Sequence, residues 1–446
     1  MVKRILSPVD KFMHLEASSG IVLIIATIIA LVMANTGMHH LYHDILHFPI
    51  NLDIGSIKLH GTVHHWVNDG LMVIFFFVVG LEIKREMVSG ELSSPKKAAL
   101  PMFAALGGMV VPALVYAALN MSGAPDTALN GWGIPMATDI AFAVGVIALL
   151  GKRVPFSLKI FLLALAIVDD LGAVFVIAAF YTANISAPAL GIALVAVFGI
   201  ILFRFIQVRA VIPYIILGLI VWFGFFTSGV HATIAGVVIG FLTPAKPLYS
   251  GDDLGKMIND LSKATLNKLN YFNDDEATKT ALEEKDRKNF FSLRDMAFEG
   301  ISPLDRIIDI LHPWVSFFIM PLFAFCNAGV VISPEAAGSF FSSPISLGVI
   351  LGLVVGKPIG ILLFSWLSVV LKIAALPKGV TWTHVVGLGF LGGIGFTMSL
   401  FVTGLAIADP AKADLAKMGI LAASLVASLV GAGILILVSK KKPVKV

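Results

Sequence analysis

One cysteine, Cys326, occurs in 446 residues, which excludes an internal disulfide framework and any metal site built from several thiolates. Charge is scarce as well. Lys, Arg, Asp and Glu make up 13% of the chain, against roughly 25% in soluble domains. Apolar residues make up 58%, and the mean hydropathy is +0.93. A net charge of +4 is too small an excess for a nucleic-acid binder. One formal nucleotide motif occurs, Gly387-x-Gly389-x-x-Gly392. It lies inside an apolar run, without the strand that a dinucleotide fold places before it. These absences leave one class, an all-α integral membrane protein.

A bilayer core of about 30 Å takes about 20 mostly apolar residues per helix. Apolar runs bounded by charge, proline or turn clusters predict twelve spans, at 17-35, 66-88, 98-119, 132-151, 157-181, 188-206, 210-226, 229-243, 313-332, 344-371, 381-407 and 415-438. An even number puts both termini on one side. That side also collects the basic residues, from Lys3, Arg4 and Lys11 through Lys84, Arg85, Lys96, Lys97, Lys152, Arg153, Arg204, Arg209, Lys372 and Lys378 to Lys440, Lys441, Lys442 and Lys445. The opposite loops hold only Lys58, Lys412 and Lys417. By the positive-inside rule both termini are cytoplasmic. The first apolar run is long enough to span and no small-residue cleavage site follows it, so it reads as a helix and not as a removed signal.

Two connections differ from the rest of this single polytopic domain, taken as 1-446. Ile50, Leu52 and Ile54 alternate with polar residues before Gly55-Ser56, and Ile57 and Leu59 follow, which predicts an outward-facing β-hairpin over 48-60. A lone hairpin is marginal in water, so it needs something to pair with. Between spans eight and nine, residues 246-306 carry 22 of the 60 charged residues and form a solvated cytoplasmic insertion.

An Asp or Lys at mid-membrane costs roughly 2.5–3.5 kcal/mol on insertion scales and is a functional candidate by default. Here the candidates are Asp69, Asp139, Asp169, Asp170 and Lys357. Two adjacent acids in LALAIVDDLGAV exceed what Lys357 alone neutralises, and adjacent helix positions point about 100° apart. Each carboxylate therefore needs its own surroundings, and close acids in low dielectric hold protons. Pro135, shortly before Thr138-Asp139, removes a backbone donor and predicts an interruption there. The glycines between Gly387 and Ser399 predict a second. Two interrupted spans far apart in sequence point to a transporter's midplane site; ordinary glycine packing is the alternative, since Gly389 and Gly393 have small-xxx-small spacing. Lys357 follows a face of Gly352, Gly356 and Gly360 that predicts burial among close helices. His231 suits either packing or a pH-linked role, His384 carries no specific signal, and Trp66, Trp132 and Trp382 stand near span ends as interfacial anchors.

The segments NDGLMVIFFFVVGLEIKRE, ATDIAFAVGV, LALAIVDDLGAV, SGVHATIAGVVIGFLTP, LHPWVSFFIMPLFAFCNAGV, GKPIGI and GFLGGIGFTMSLF together touch nearly every span. In them the chain closely resembles the NhaA-type sodium/proton antiporters. The resemblance implies an inverted-repeat fold in which two broken helices cross at the midplane near Thr138-Asp139 and Gly392 to Gly395. It implies that Asp169 and Asp170 bind the ion and exchange protons with help from Thr138. Asp139 and Lys357 would balance the half-helix ends, with Lys357 beside Asp169, and Asp69 would lie on the ion route. Glu82, Glu86 and His312 would form the cytoplasmic mouth linked to pH response. It also implies a bacterial inner-membrane location and a homodimer formed through the hairpin near Gly55. Two departures are evident. Ile308 and Asp309 stand where a Glu-His pair is expected, and the insertion is unusually long; both predict a shifted pH profile.

The expected mechanism is competition for one site. A hard cation needs anionic oxygens, so sodium or lithium binds only when the carboxylates have lost protons. Two protons released per cation would move net charge. No bound cofactor is required, and the partners are membrane lipid and a second copy. One alternative is a sodium-coupled symporter of an organic anion, which needs a roomier cavity. Another is an intramembrane aspartyl protease using Asp139 with Asp169 or Asp170 as a proton-sharing dyad.

Overall fold

The computed structural model describes residues 16–54, 57–122, 127–182, 185–206, 208, 211–247, 252–256, 258–259, 263, 296, 298–332 and 338–439. The hairpin tip Gly55-Ser56, the first basic residues, Arg209, the Lys440 to Lys445 cluster and most of the 246-306 insertion lie outside them. Chain contacts divide into two compact units, Met1–Phe241 with His312–Val446, and Leu242–Leu311.

In the larger unit, α1 (Glu16–Ala34) and α2 (His39–His47) precede strands β1 (Pro49–Ile54) and β2 (Ile57–Thr62). The strands pair antiparallel, with Pro49 opposite Thr62 and Ile54 opposite Ile57. Then come α3 (Val63–Ser89), α4 (Pro95–Asn120), a 3₁₀ segment (Leu129–Met136) with α5 (Ile140–Leu150), α6 (Phe156–Phe180) and α7 (Ala187–Phe205). Helices α8 (Val211–Ser228) and α9 (Ala232–Leu242) are shorter. The rest are α10 (Pro303–Asn327), α11 (Pro344–Val370), α12 (Trp382–Gly392), α13 (Phe396–Ala406) and α14 (Pro410–Ser439).

Among the described residues, eight helices can cross a membrane by length and composition, or up to ten if each of two bent pairs is one span. With α8 and α9, these helices occupy all twelve segments read from hydropathy. Helix α2 was not legible. Its nine residues include His39, His40, His43, Asp44 and His47, too short and too polar a run to register as a span. It bends 115° from the preceding helix.

Among the described residues three spans also contain π turns, at Val67–Leu71, Val315–Ile319 and Gly352–Gly356. A π turn inserts one residue into the α-helical register, so the face presented after it rotates, and such turns collect at functional sites. The first carries Asp69; the third ends at Lys357.

Backbones approach closely where Lys357 is held. A Cβ on Gly360 of α11 would meet the carbonyl carbon of Gly107 in α4 at 2.7 Å, closer than real Cβ atoms come to backbone. Gly360→Ala is therefore expected to lower stability by about 1–3 kcal/mol through overpacking. Thermal unfolding in detergent would register it, and an unchanged melting temperature would show that the two helices separate freely.

In the second unit, Leu304 N–H bonds the Pro244 carbonyl at 3.2 Å. Ser302 Oγ donates to Asp305 Oδ2 at 2.6 Å, and the Arg306 guanidinium lies 4.2 Å from the Phe298 ring centroid.

Candidate ion-exchange site

Both predicted interruptions are present, and they meet. After Pro135 the 3₁₀ segment ends at Met136, Ala137 is extended (φ −75°, ψ 145°), and α5 starts with Asp139 as its N-cap. Opposite it, α12 stops at Gly392 and α13 starts at Phe396, with a 46° bend between them. The crossing is made by hydrogen bonds. Asp139 N–H donates to Ile394 O at 2.7 Å, Thr138 Oγ1 to Gly392 O at 2.8 Å, and Ser399 Oγ to Ile134 O at 2.7 Å.

Each interruption leaves orphan helix-end groups, and buried side chains meet them. Asp139 Oδ1 accepts from Phe142 N at 2.9 Å, at the start of its own helix. Asp139 Oδ2 accepts from Thr397 N at 3.0 Å and Thr397 Oγ1 at 2.5 Å. One carboxylate thus caps two helix N-termini, where negative charge is favoured. At the other pole, Lys357 Nζ donates to the Met136 carbonyl, where positive charge is favoured. Ser424 of α14 accepts from Phe396 N at 3.1 Å. Thr397, Ser399 and Ser424 were not singled out by sequence reasoning. Thr397 and Ser399 follow the glycine break directly, a signal that was available; Ser424 had none.

Asp169 and Asp170 occupy different surroundings, as their 100° separation on α6 requires. Lys357 Nζ lies 2.8 Å from Asp169 Oδ2, with both side chains fully buried. Thr138 stands beside Asp169, whose Oδ1 has no hydrogen-bond partner among the described residues. Asp170 is 1% exposed, and neither of its carboxylate oxygens has a partner there. Its electrostatic surroundings are mostly acidic, with Asp169, Asp139 and Glu82 set against Lys357.

Among the other candidates, Glu82 is an electrostatic neighbour of Asp170. Asp69 Oδ2 is 3.2 Å from His65 Nδ1. Glu82 has His312, Arg85 and Glu86 as electrostatic neighbours, and Glu86 Oε2 accepts from Glu91 N at 2.9 Å. His231 Nε2 bonds the Tyr181 carbonyl at 2.9 Å. Asp309 is exposed and belongs to the second unit. His384 completes a capping box with Thr381 at the start of α12.

Three oxygens at the centre, both of Asp170 and Oδ1 of Asp169, accept no hydrogen bond among the described residues. With the Thr138 hydroxyl beside Asp169, anionic and neutral oxygens of the kind a hard cation takes as ligands are present. Among the described residues no group of three or more His, Cys, Asp or Glu is arranged as a metal centre.

Comparison with known proteins identifies the family. A family model described as Na+/H+ antiporter 1 matches residues 10–435. The chain is 47% identical to the Na(+)/H(+) antiporter NhaA of Oleidesulfovibrio alaskensis over 431 residues, 96% of this chain and 94% of that one. It is 45% identical to the Na(+)/H(+) antiporter NhaA 2 of Sorangium cellulosum, over 96% of this chain and 90% of that one. To an Escherichia coli Na(+)/H(+) antiporter NhaA it is 43% identical, covering 94% and 96%. A helical multi-pass chain with two crossed breaks around buried aspartates, matched over nearly its full length, belongs to the NhaA family of sodium/proton antiporters.

Proposed function

We propose that this chain exports sodium or lithium in exchange for protons by alternating access at Asp169 and Asp170, and that the exchange is electrogenic. One observation carries the reading: Asp170 is a fully buried carboxylate whose oxygens no described protein group satisfies. A carboxylate so placed is costly unless it holds a proton or a cation. Holding one excludes the other, which is the competition an exchanger needs.

Charge counting gives the electrogenicity. The proton-loaded site holds one proton on Asp170 and one on the Lys357–Asp169 pair. Cation binding to both carboxylates and the Thr138 hydroxyl releases two protons for one positive charge. An inward-negative potential then drives sodium outward. Asp139 caps its two helix N-termini throughout, Lys357 compensates the Met136 carbonyl end while the pair holds its proton, and Asp69 lies on the ion route. Glu82, Glu86, His231, Asp309 and His312 make the rate depend on pH. The protein works in the bacterial inner membrane with both termini in the cytoplasm, as a homodimer joined through the hairpin around Gly55.

The test is purified protein in proteoliposomes with an imposed pH gradient, a lumenal pH dye, and sodium, lithium or potassium added in turn. Sodium and lithium dissipate the gradient, faster when the membrane potential is collapsed, and potassium does not. No response to any of the three from mildly acidic to mildly alkaline pH overturns antiport. Sodium uptake that requires an organic anion would replace it with symport.

A further inference from the structure

Seven of the eleven histidines lie between His39 and His65, and two of them stand side by side at the start of α3 with different surroundings. His64 is bound to protein: its Nε2 is 3.1 Å from Asn327 Oδ1 and 3.2 Å from Asn68 Nδ2. Asn327 Nδ2 in turn donates to Asn68 Oδ1 at 2.9 Å. That amide–imidazole cluster ties α3 to α10. His65, about 100° further round the helix, faces the partly open side.

Its Nδ1 lies 3.2 Å from Asp69 Oδ2, with side-chain exposures of 40% for His65 and 31% for Asp69. Both groups are therefore partly open, at the end of α3 opposite Lys84 and Arg85. The pair is held in place. Thr62 Oγ1 accepts from His65 N at 3.3 Å, the Phe226 ring meets the imidazole edge-on at 5.6 Å, and Trp222 Nε1 donates to the Asp69 carbonyl at 3.1 Å. His65 is thus fixed against the one acid on this part of α3.

We propose that His65 sets the affinity of the outer mouth for its cation by neutralising Asp69 when outer pH falls. The inference rests on the antiport reading, with Asp69 on the ion route and this end of α3 facing outward. Neutral His65 leaves the Asp69 carboxylate as a net negative charge that concentrates cations at the mouth. Protonated His65 forms an ion pair with it, and that attraction is lost. Histidine changes charge between about pH 5 and 8, within the range an outer compartment traverses.

The other titratable neighbours are accounted for. His231 also acts on Asp69 and is bonded through Nε2 to Tyr181 O; it is present in both proteins compared below, so its contribution cancels in their ratio. His64 has Lys417, His47 and His65 as electrostatic neighbours, and Lys417 lies 3.9 Å from Asp414. His65 is therefore a positioning residue acting through Asp69.

The test compares wild type with His65→Gln in right-side-out membrane vesicles, measuring the KM for outer sodium while outer pH is varied at fixed inner pH. Proton competition at Asp170 contributes to both proteins, so the ratio of their KM values isolates His65. The ratio is expected near one at high outer pH and to rise about three- to tenfold through the histidine range. The effect falls on KM and leaves kcat alone, and raising ionic strength reduces it as the Debye length shrinks. His65→Lys, permanently charged, should show the high KM at every outer pH. A ratio independent of outer pH, or one that follows inner pH instead, overturns the proposal. Wild-type vesicles that exchange no sodium would instead remove the antiport reading itself.

Discussion

Proteoliposomes carrying Asp170→Asn are expected to hold an imposed pH gradient when sodium or lithium is added, as empty liposomes do. An amide has nearly the shape of a carboxylate but neither exchanges a proton in this range nor carries the anionic charge a hard cation requires. The loss should come without a loss of folding. Neither Asp170 oxygen accepts a hydrogen bond from a described residue, so the substitution breaks none, and it removes a charge from a centre already crowded by Asp169, Asp139 and Glu82. The melting temperature should therefore stay at the wild-type value or rise. Exchange above about a tenth of the wild-type rate, a loss of less than about 1.4 kcal/mol in barrier terms, would move the essential carboxylate elsewhere, with Asp169 the next candidate.

Lys357→Met should behave in the opposite way, with its first effect on stability. The pair with Asp169 spans 2.8 Å with both side chains fully buried, and the same ammonium reaches the Met136 carbonyl at the end of the 3₁₀ segment. Removing one partner of a buried pair typically costs about 3–5 kcal/mol, because the other charge stays buried and uncompensated. Replacing both partners is far less costly, so Lys357→Met combined with Asp169→Asn should regain most of that loss. A double-mutant cycle read by thermal unfolding in detergent measures this coupling. Single substitutions that cost under about 1 kcal/mol and simply add would show that the two groups are not charged together in the folded protein. Transport should fail in the double variant whatever its stability, since Asp169 contributes an oxygen to the proposed site.

Taken together, the two experiments separate roles that adjacency in sequence cannot. Asp169 and Asp170 are neighbours in LALAIVDDLGAV, yet one is structurally engaged and the other is not. The distinction comes from α11 and its lysine, 188 positions after Asp169.

Several features were legible before any fold was known, for local physical reasons. Hydropathy is a property of a short window, so class and spans follow from counting apolar residues against bilayer thickness. Buried charge is conspicuous against that background, which is why Asp69, Asp139, Asp169, Asp170 and Lys357 stood out. Pro135 and the glycines after Gly387 weaken a helix wherever they occur, so both interruptions had local causes.

Only the tertiary structure decided how these parts engage. Asp139 reaches Thr397, 258 positions later, and Thr138 reaches Gly392, 254 positions later; no periodicity carries such pairings. The π turns that rotate Asp69 and Lys357 have no reliable sequence signature, because the extra residue is accommodated by packing around the helix. Likewise, the adjacent histidines at 64 and 65 are chemically identical in sequence. Helix α10 supplies Asn327 to the first, while Asp69 and the Phe226 ring stand beside the second. Residue types and their local spacing determine which groups a membrane will penalise; the partners that satisfy those groups come from other helices, so only the packed fold assigns them.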